Sequence, residues 1–142
     1  MNRRTLLRYV GLAGIAEAGK SLLAQKSSSS KENGAAHPIV LYCDMAVDPA
    51  QEQKMIDYFH NEFKPAAQSF QGYIDVKIVK VRRVMQGGPL TQGVNYRFQL
   101  TYESEALRQK WISSQVHRMV WPHIEDTLIN KRDYLVLLTD SI

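Results

Sequence analysis

The sequence contains few of the residues that cross-link a folded chain. Cys43 is the only cysteine among 142 residues, so no disulfide forms within the chain, and packing or self-association has to stabilise the fold. Cys43 lies in an apolar run and has no basic partner nearby in sequence, which favours a small buried side chain over a nucleophile. Uninterrupted apolar runs are also short. None approaches the roughly 20 residues that a membrane span requires.

Positive charge is scarce where a nucleic-acid-binding domain needs it. The net charge of +4 comes entirely from residues 1–36, which hold six basic and two acidic side chains. From His37 onward, 12 basic residues balance 12 acidic ones. Nucleic-acid binding relies on clustered Lys and Arg, and the basic residues at 77–83 are expected to be exposed strand positions. The composition therefore argues against a nucleic-acid partner.

The N-terminal segment 2–8 has an adjacent arginine pair followed by two leucines and a mildly apolar stretch. This order resembles a bacterial twin-arginine export signal; an ordinary basic tail is the alternative. We predict a signal peptide at 1–24, a flexible Ser- and Lys-rich linker at 25–36, and one folded domain at 37–142. The expected location is across the bacterial inner membrane, in the periplasm or outside the cell. No stable membrane anchor is expected after signal removal.

Hydrophobic patterning after His37 predicts six elements. Strands are predicted at 38–44, 73–85, 94–102 and 134–138, the second and third forming a hairpin. Asp48-Pro49 is typical of a helix start, and Ser104 is expected to cap a later helix that Ser113-Ser114 interrupts and restarts. The order strand, helix, strand, strand, helix, strand predicts an α+β, ferredoxin-like βαββαβ fold. In that fold a four-stranded antiparallel sheet carries two helices on one face.

The second predicted strand has apolar residues at both parities, which indicates that both faces of the sheet are buried. Two helices cover only one face, so we expect a homodimer that pairs sheet against sheet. Arg97 and Gln99 would then lie inside this dimer and make interface hydrogen bonds or salt bridges.

The stretch 102–117, with an aromatic residue, Ser, Trp, Ser and His in order, resembles the strand-to-helix segment of the dimeric α+β barrel superfamily. The antibiotic-biosynthesis monooxygenase-like and stress-responsive A/B barrel domains of that superfamily are similar. The resemblance implies a homodimeric barrel with a pocket between sheet and helices. It also implies either a cofactor-independent monooxygenase-like enzyme acting on a small aromatic molecule, or a non-enzymatic ligand-binding or stress-responsive protein.

His117 is the candidate catalytic residue, because its helical spacing from Trp121 turns it toward the sheet and a neutral imidazole can accept a proton. Trp111 and Trp121 are candidate walls of the pocket, and Tyr96 and Tyr102 lie on the same strand face as candidate ligand contacts. For each residue a structural role in the core is the alternative.

No cofactor or metal is predicted. His60 with Glu62, and His123 with Asp126, lack a third ligand at useful spacing. Some barrel relatives degrade haem, and the resemblance places their ligating histidine about ten positions after the helix tryptophan. Trp121 occupies that position here. Phosphate-binding glycine loops and hydrolase nucleophile elbows are also missing.

Overall fold

A computed structural model describes residues 37–91 and 93–142. The predictions for the signal peptide and the linker concern residues 1–36 and lie outside the described residues. None of the helices in the described part has the length and apolar character needed to cross a membrane.

The fold is a four-stranded antiparallel sheet with helices packed on one face, as the sequence predicts. The strand order is β2-β3-β1-β4, which places the first and third strands at the centre. The strands are β1 (Ile39–Met45), β2 (Tyr73–Lys80), β3 (Tyr96–Tyr102) and β4 (Leu135–Asp140). The α+β ferredoxin-like fold is therefore confirmed.

The first helical region begins where predicted, at Asp48, whose carboxylate accepts a hydrogen bond from the Ala50 amide at 2.9 Å. A short 3₁₀ turn (Pro49–Gln51) leads into α1 (Glu52–Tyr58), a π-helical turn (Phe59–Phe63) and α2 (Lys64–Gln68). Pro65 has no amide hydrogen, so a regular helix would be kinked or ended there. The helix widens by one residue just before it, and the Lys64 amide donates to the Phe59 carbonyl. The π-turn keeps both phenylalanines in the core.

The second helical region has the predicted capped start and interruption. Ser104 caps α3 (Glu105–Ser113) by accepting from the Leu107 amide at 3.2 Å. Ser114 then ends α3 and starts α4 (Gln115–Glu125). A second helix can therefore leave in a new direction without exposing unsatisfied backbone groups.

The second strand is shorter than predicted. It ends at Lys80 rather than continuing to Met85, because the partner strand β3 starts only at Tyr96 and leaves the described residues of 82–91 and 93–94 without a ladder. The connection between the two strands is therefore a long loop with Gly87 at a positive φ of 95°. The other strand boundaries shift by one or two residues, and the hairpin pairing of β2 with β3 is confirmed.

The two faces of the sheet differ in burial. Ile39, Leu41 and Cys43 on β1 pack under the helices, together with the alternate residues of β3. On the opposite face Arg97 pairs with Asp44, with Nε to Oδ1 at 2.7 Å and Nη2 to Oδ2 at 3.0 Å. Among the described residues no helix or strand covers this second face, although Val84 and Leu90 of the β2–β3 loop share a groove with Asp44 and Arg97.

Candidate functional site

A cavity of about 130 Å³ lies between the middle of the sheet and the second helical region. Aromatic and aliphatic side chains line it, together with three residues that carry a polar or sulfur atom. The aromatic residues are Phe63, Phe98, Trp111, Trp121 and Tyr134; the aliphatic residues are Leu41, Leu100, Ile112 and Val136; the others are Cys43, Arg108 and His117. The site is thus an aromatic box with a few polar groups at its wall.

His117 lies in this cavity between the two tryptophans. Its ring centroid is 5.1 Å from that of Trp111, edge to face, and 6.2 Å from that of Trp121, nearly parallel. Burial lowers the pKa of His117 from its ordinary value of 6.5, and the nearby charge of Arg108 lowers it further. The imidazole is therefore neutral at neutral pH and can accept a proton.

Ser114 fixes the two residues on either side of the helix break. Its hydroxyl donates to the Trp111 carbonyl at 2.6 Å and accepts from the His117 amide at 3.1 Å. One side chain therefore ends the helix that carries the tryptophan and starts the helix that carries the histidine.

Tyr134 holds the other tryptophan. Its hydroxyl accepts from Trp121 Nε1 at 2.9 Å and donates to Glu125 Oε2 at 2.8 Å. Burial raises the pKa of Tyr134, and the hydrogen bond to the Glu125 carboxylate raises it further. This series of hydrogen bonds connects α4 to the residue before β4 and sets the orientation of the Trp121 ring.

Cys43 lies on the sheet side of the cavity as a buried thiol. Burial raises its pKa to about 12, more than the opposing charge of Arg108 lowers it. A thiol of this kind is protonated at neutral pH and is a poor nucleophile. The expectation of a small buried side chain therefore agrees with its surroundings.

Tyr96 and Tyr102 were predicted to contact a ligand, and the structure places neither among the residues that line the cavity. They sit at the two ends of β3, whereas Phe98 and Leu100 between them form the floor. The Tyr96 hydroxyl donates to Glu52 Oε1 at 2.7 Å, and Glu52 also pairs with Lys80. The Tyr102 hydroxyl is buried with no hydrogen-bond partner in the described residues.

Three predicted residues, His117, Trp111 and Trp121, are brought together. Arg108 and Tyr134 also line the cavity and were not predicted from the sequence. Helical spacing could have indicated Arg108, because it lies three residues after Glu105 and three before Trp111, on the same helical face. Within the described residues, no three His, Cys, Asp or Glu side chains lie close enough to hold a metal ion.

The similarities found between this chain and known proteins are similarities to solved structures. No known family profile matches the sequence, and no curated protein matches it. A dimeric ferredoxin-like protein of unknown function from Jannaschia sp. CCS1 superposes with a TM-score of 0.61 at 13% identity, covering 73% of this chain and 99% of that one.

Two further neighbours are named provisionally as antibiotic biosynthesis monooxygenases. The protein from Caulobacter crescentus CB15 has a TM-score of 0.60 at 11% identity, covering 75% of this chain and 92% of its own. The protein from Bordetella bronchiseptica has a TM-score of 0.60 at 10% identity, with coverage of 75% and 98%. Such low identities establish a shared ferredoxin-like fold, and the fold alone assigns no activity.

Proposed function

We propose that this protein is a cofactor-independent monooxygenase-like enzyme that acts on a small aromatic molecule bound in the cavity. The observation that carries the proposal is the neutral His117 imidazole held between two tryptophans at the wall of a cavity lined by aromatic side chains. Several structural neighbours with this fold are named as monooxygenases, which supports the same class.

The size of the cavity limits the substrate. An engineered cavity of roughly 150 Å³ in another protein holds benzene, and the cavity here, at about 130 Å³, has room for one aromatic ring. A ring bound in the cavity would lie against Phe98 and Leu100 of the sheet and beside the two tryptophans, and a phenolic hydroxyl would lie within reach of His117. The substrate class is therefore a single-ring phenol.

The reaction balances without a protein-bound cofactor. His117 accepts the phenolic proton, and the electron-rich phenolate reduces O₂. For a dihydroxybenzene, one oxygen atom enters the ring to give a hydroxyquinone and the other leaves as water with two substrate hydrogens. The substrate supplies all four electrons that O₂ accepts.

The test is cofactor-free oxygen uptake with dihydroxybenzenes by the purified full chain. We expect His117→Ala to lower the rate by at least about 100-fold, the usual contribution of a positioned general base, with the fold intact by circular dichroism. His123→Ala, an exposed position on the same helix, is the matched control and should retain the wild-type rate. Equal rates for wild type and His117→Ala would refute the role of His117.

A second candidate function is a non-enzymatic ligand-binding or stress-responsive barrel. The observation that favours it is the cavity's small volume, since enzyme and drug pockets usually span about 300–1,000 Å³. Native mass spectrometry that detects a retained aromatic ligand, together with no oxygen uptake on any dihydroxybenzene, would select this candidate.

We also propose that the protein is a homodimer and that it acts after export. The sheet face opposite the helices supports the first part, because it carries exposed Val79, Leu135 and Leu137. A groove of about 310 Å³ on this face is lined by aliphatic side chains together with Asp44, Arg83 and Arg97. The Jannaschia neighbour is itself described as dimeric. The arginine pair near the N-terminus supports export, and replacing both arginines with lysine in a reporter fusion should stop it.

A further inference from the structure

Arg108 places a buried positive charge at the wall of the aromatic cavity. It lies on α3, one turn before Trp111, and only 9% of its side chain is exposed. Its Nε donates to Glu105 Oε2 at 2.6 Å and its Nη2 donates to Glu105 Oε1 at 2.7 Å. Among the described residues that line the cavity, Arg108 alone carries a full charge once His117 is neutral.

The Glu105 carboxylate cancels this charge only in part inside the cavity. The Glu105 side chain is 37% exposed, so water screens the carboxylate, whereas the Arg108 guanidinium sits in a medium of lower dielectric. The positive charge of Arg108 contributes to the lowered pKa of His117 and opposes, without reversing, the rise that burial causes in the pKa of Cys43; both side chains also line the cavity. Its field therefore reaches across the space that a ligand would fill.

The guanidinium retains donors for a ligand. Arginine has about five N–H donors in a planar fork, and the pair with Glu105 uses two of them. Burying an arginine beside aromatic rings is costly unless its donors are matched. No nitrogen of Arg108 is both buried and unpaired, so the remaining donors can pass from water to a negatively charged ligand oxygen, whereas a purely apolar ligand offers them no acceptor.

We propose that the cavity selects a single-ring aromatic monoanion, with the ring against the tryptophans and a carboxylate or phenolate oxygen on Arg108. The inference rests on the proposed aromatic cavity and adds the charge of the ligand. Arg108 is then the residue that determines specificity, and His117 is left free to handle a proton elsewhere on the ring. A carboxylate and a phenolate both offer Arg108 a negatively charged oxygen, which is attached to the ring through one carbon in the first case and directly in the second.

Benzoate and benzamide test the charge directly, because they have nearly the same shape and differ in charge. The two tryptophans of the chain both line the cavity, so quenching of intrinsic fluorescence reports binding of either compound to the full-length protein. We expect benzoate to bind at least about tenfold more tightly than benzamide, the usual gain from a charge-assisted hydrogen bond. Phenol titrated across its own pKa distinguishes the second source of the anion: its binding should tighten as phenolate forms.

Two variants separate the charge of Arg108 from its structural pairing. Arg108→Met should abolish the preference for benzoate while benzamide still binds, because the apolar stem remains. Glu105→Gln breaks the ion pair but keeps the guanidinium, so it should preserve or increase the preference. This second variant decides the matter if Arg108→Met does not fold.

Each outcome has one interpretation. Equal binding of benzoate and benzamide to the wild type, or a benzoate preference that survives in Arg108→Met, overturns the charge inference and leaves the aromatic cavity standing. A benzoate preference lost in Glu105→Gln also overturns it, since the ion pair and not the guanidinium would then matter. If no ring compound quenches the tryptophans, the proposed function falls together with this inference.

Discussion

At the scale of single residues, His117 is important because burial keeps its imidazole neutral. Its folded-state pKa is lowered below 6.5, so the folded protein resists a proton that the unfolded chain accepts. The contribution of this residue to stability is therefore full above about pH 6.5 and is lost as the pH falls toward the folded-state pKa. The same neutral form is the one that the proposed chemistry requires.

The direction of the His117 pKa shift gives a prediction about stability that can be tested without an activity assay. We expect the free energy of unfolding to fall from about pH 7 to about pH 5, with His117 contributing at most about 1.4 kcal/mol per pH unit. Urea unfolding at several pH values measures the slope. His117→Phe, which keeps an aromatic ring beside Trp121, should flatten it, and Met119→Phe, an exposed position without a titratable group on the same helix, should leave the slope as in the wild type. An unchanged slope in His117→Phe would show that the imidazole is not the group responsible.

The same scale shows where sequence reasoning stops. Helical spacing assigned His117 and Trp121 to the inner face correctly, because that face follows from a fixed rotation per residue. It did not separate Phe98, at the cavity floor, from Tyr96 and Tyr102, which share its face. Which residues of a strand lie beneath a helix depends on tertiary packing. The alternation of polar and apolar residues along the strand contains no information about it. Arg108 was not predicted to line the cavity, because most arginines on helices are exposed to solvent.

At the scale of elements, the break between α3 and α4 determines the shape of the site. Ser114→Ala removes the cap of α4 and the hydrogen bond to the Trp111 carbonyl together. We expect a loss of about 1 kcal/mol in unfolding free energy, together with a change in tryptophan fluorescence. Ser113→Ala is the matched control: its exposed hydroxyl bonds only to carbonyls of its own helix, Gln109 and Lys110. Thermal melts that show equal losses for both variants would contradict the capping role.

Gly72 makes the close approach between the start of β2 and helix α3 possible. Its φ is 90°, and a Cβ there would meet Leu107 at 2.6 Å from Cδ1 and 2.7 Å from Cβ. Gly72→Ala should therefore cost at least about 1–3 kcal/mol from backbone strain and overpacking. Gly88→Ala has open space around it and should change stability by less than about 0.5 kcal/mol. Chemical denaturation of both variants decides; a tolerated Gly72→Ala would show that the helix can shift.

Elements were predicted well where the signal is local. Asp48, Ser104 and Ser114 marked helix starts because a capping side chain bonds within its own turn. The end of β2 was predicted too late, because Val81 and Val84 have strand propensity but lack a partner strand. Strand formation needs a neighbour, and the neighbour's start is not encoded in the strand itself.

At the scale of the whole molecule, the proposed homodimer can be tested by mass. Light scattering on the full chain at micromolar concentration should give about twice the monomer mass. Leu137→Lys puts a charge on the bare sheet face and should give the monomer mass, since an unpaired charge would be buried in the interface. Met119→Lys alters an equally apolar residue, 63% exposed on α4, and should leave the dimer intact. A wild-type monomer at that concentration would refute the sheet-to-sheet pairing.

The exposed edge strand β4 affects how readily separated subunits aggregate. β4 lies at a sheet edge and exposes Leu135, Val136, Leu137 and Leu138 by 41–52% each. Four consecutive apolar side chains beside unsatisfied backbone donors and acceptors form a template onto which foreign strands can add. Concentrated solutions of the wild-type protein should therefore turn cloudy or form fibrils upon warming, when separated subunits meet often enough to add to one another through β4.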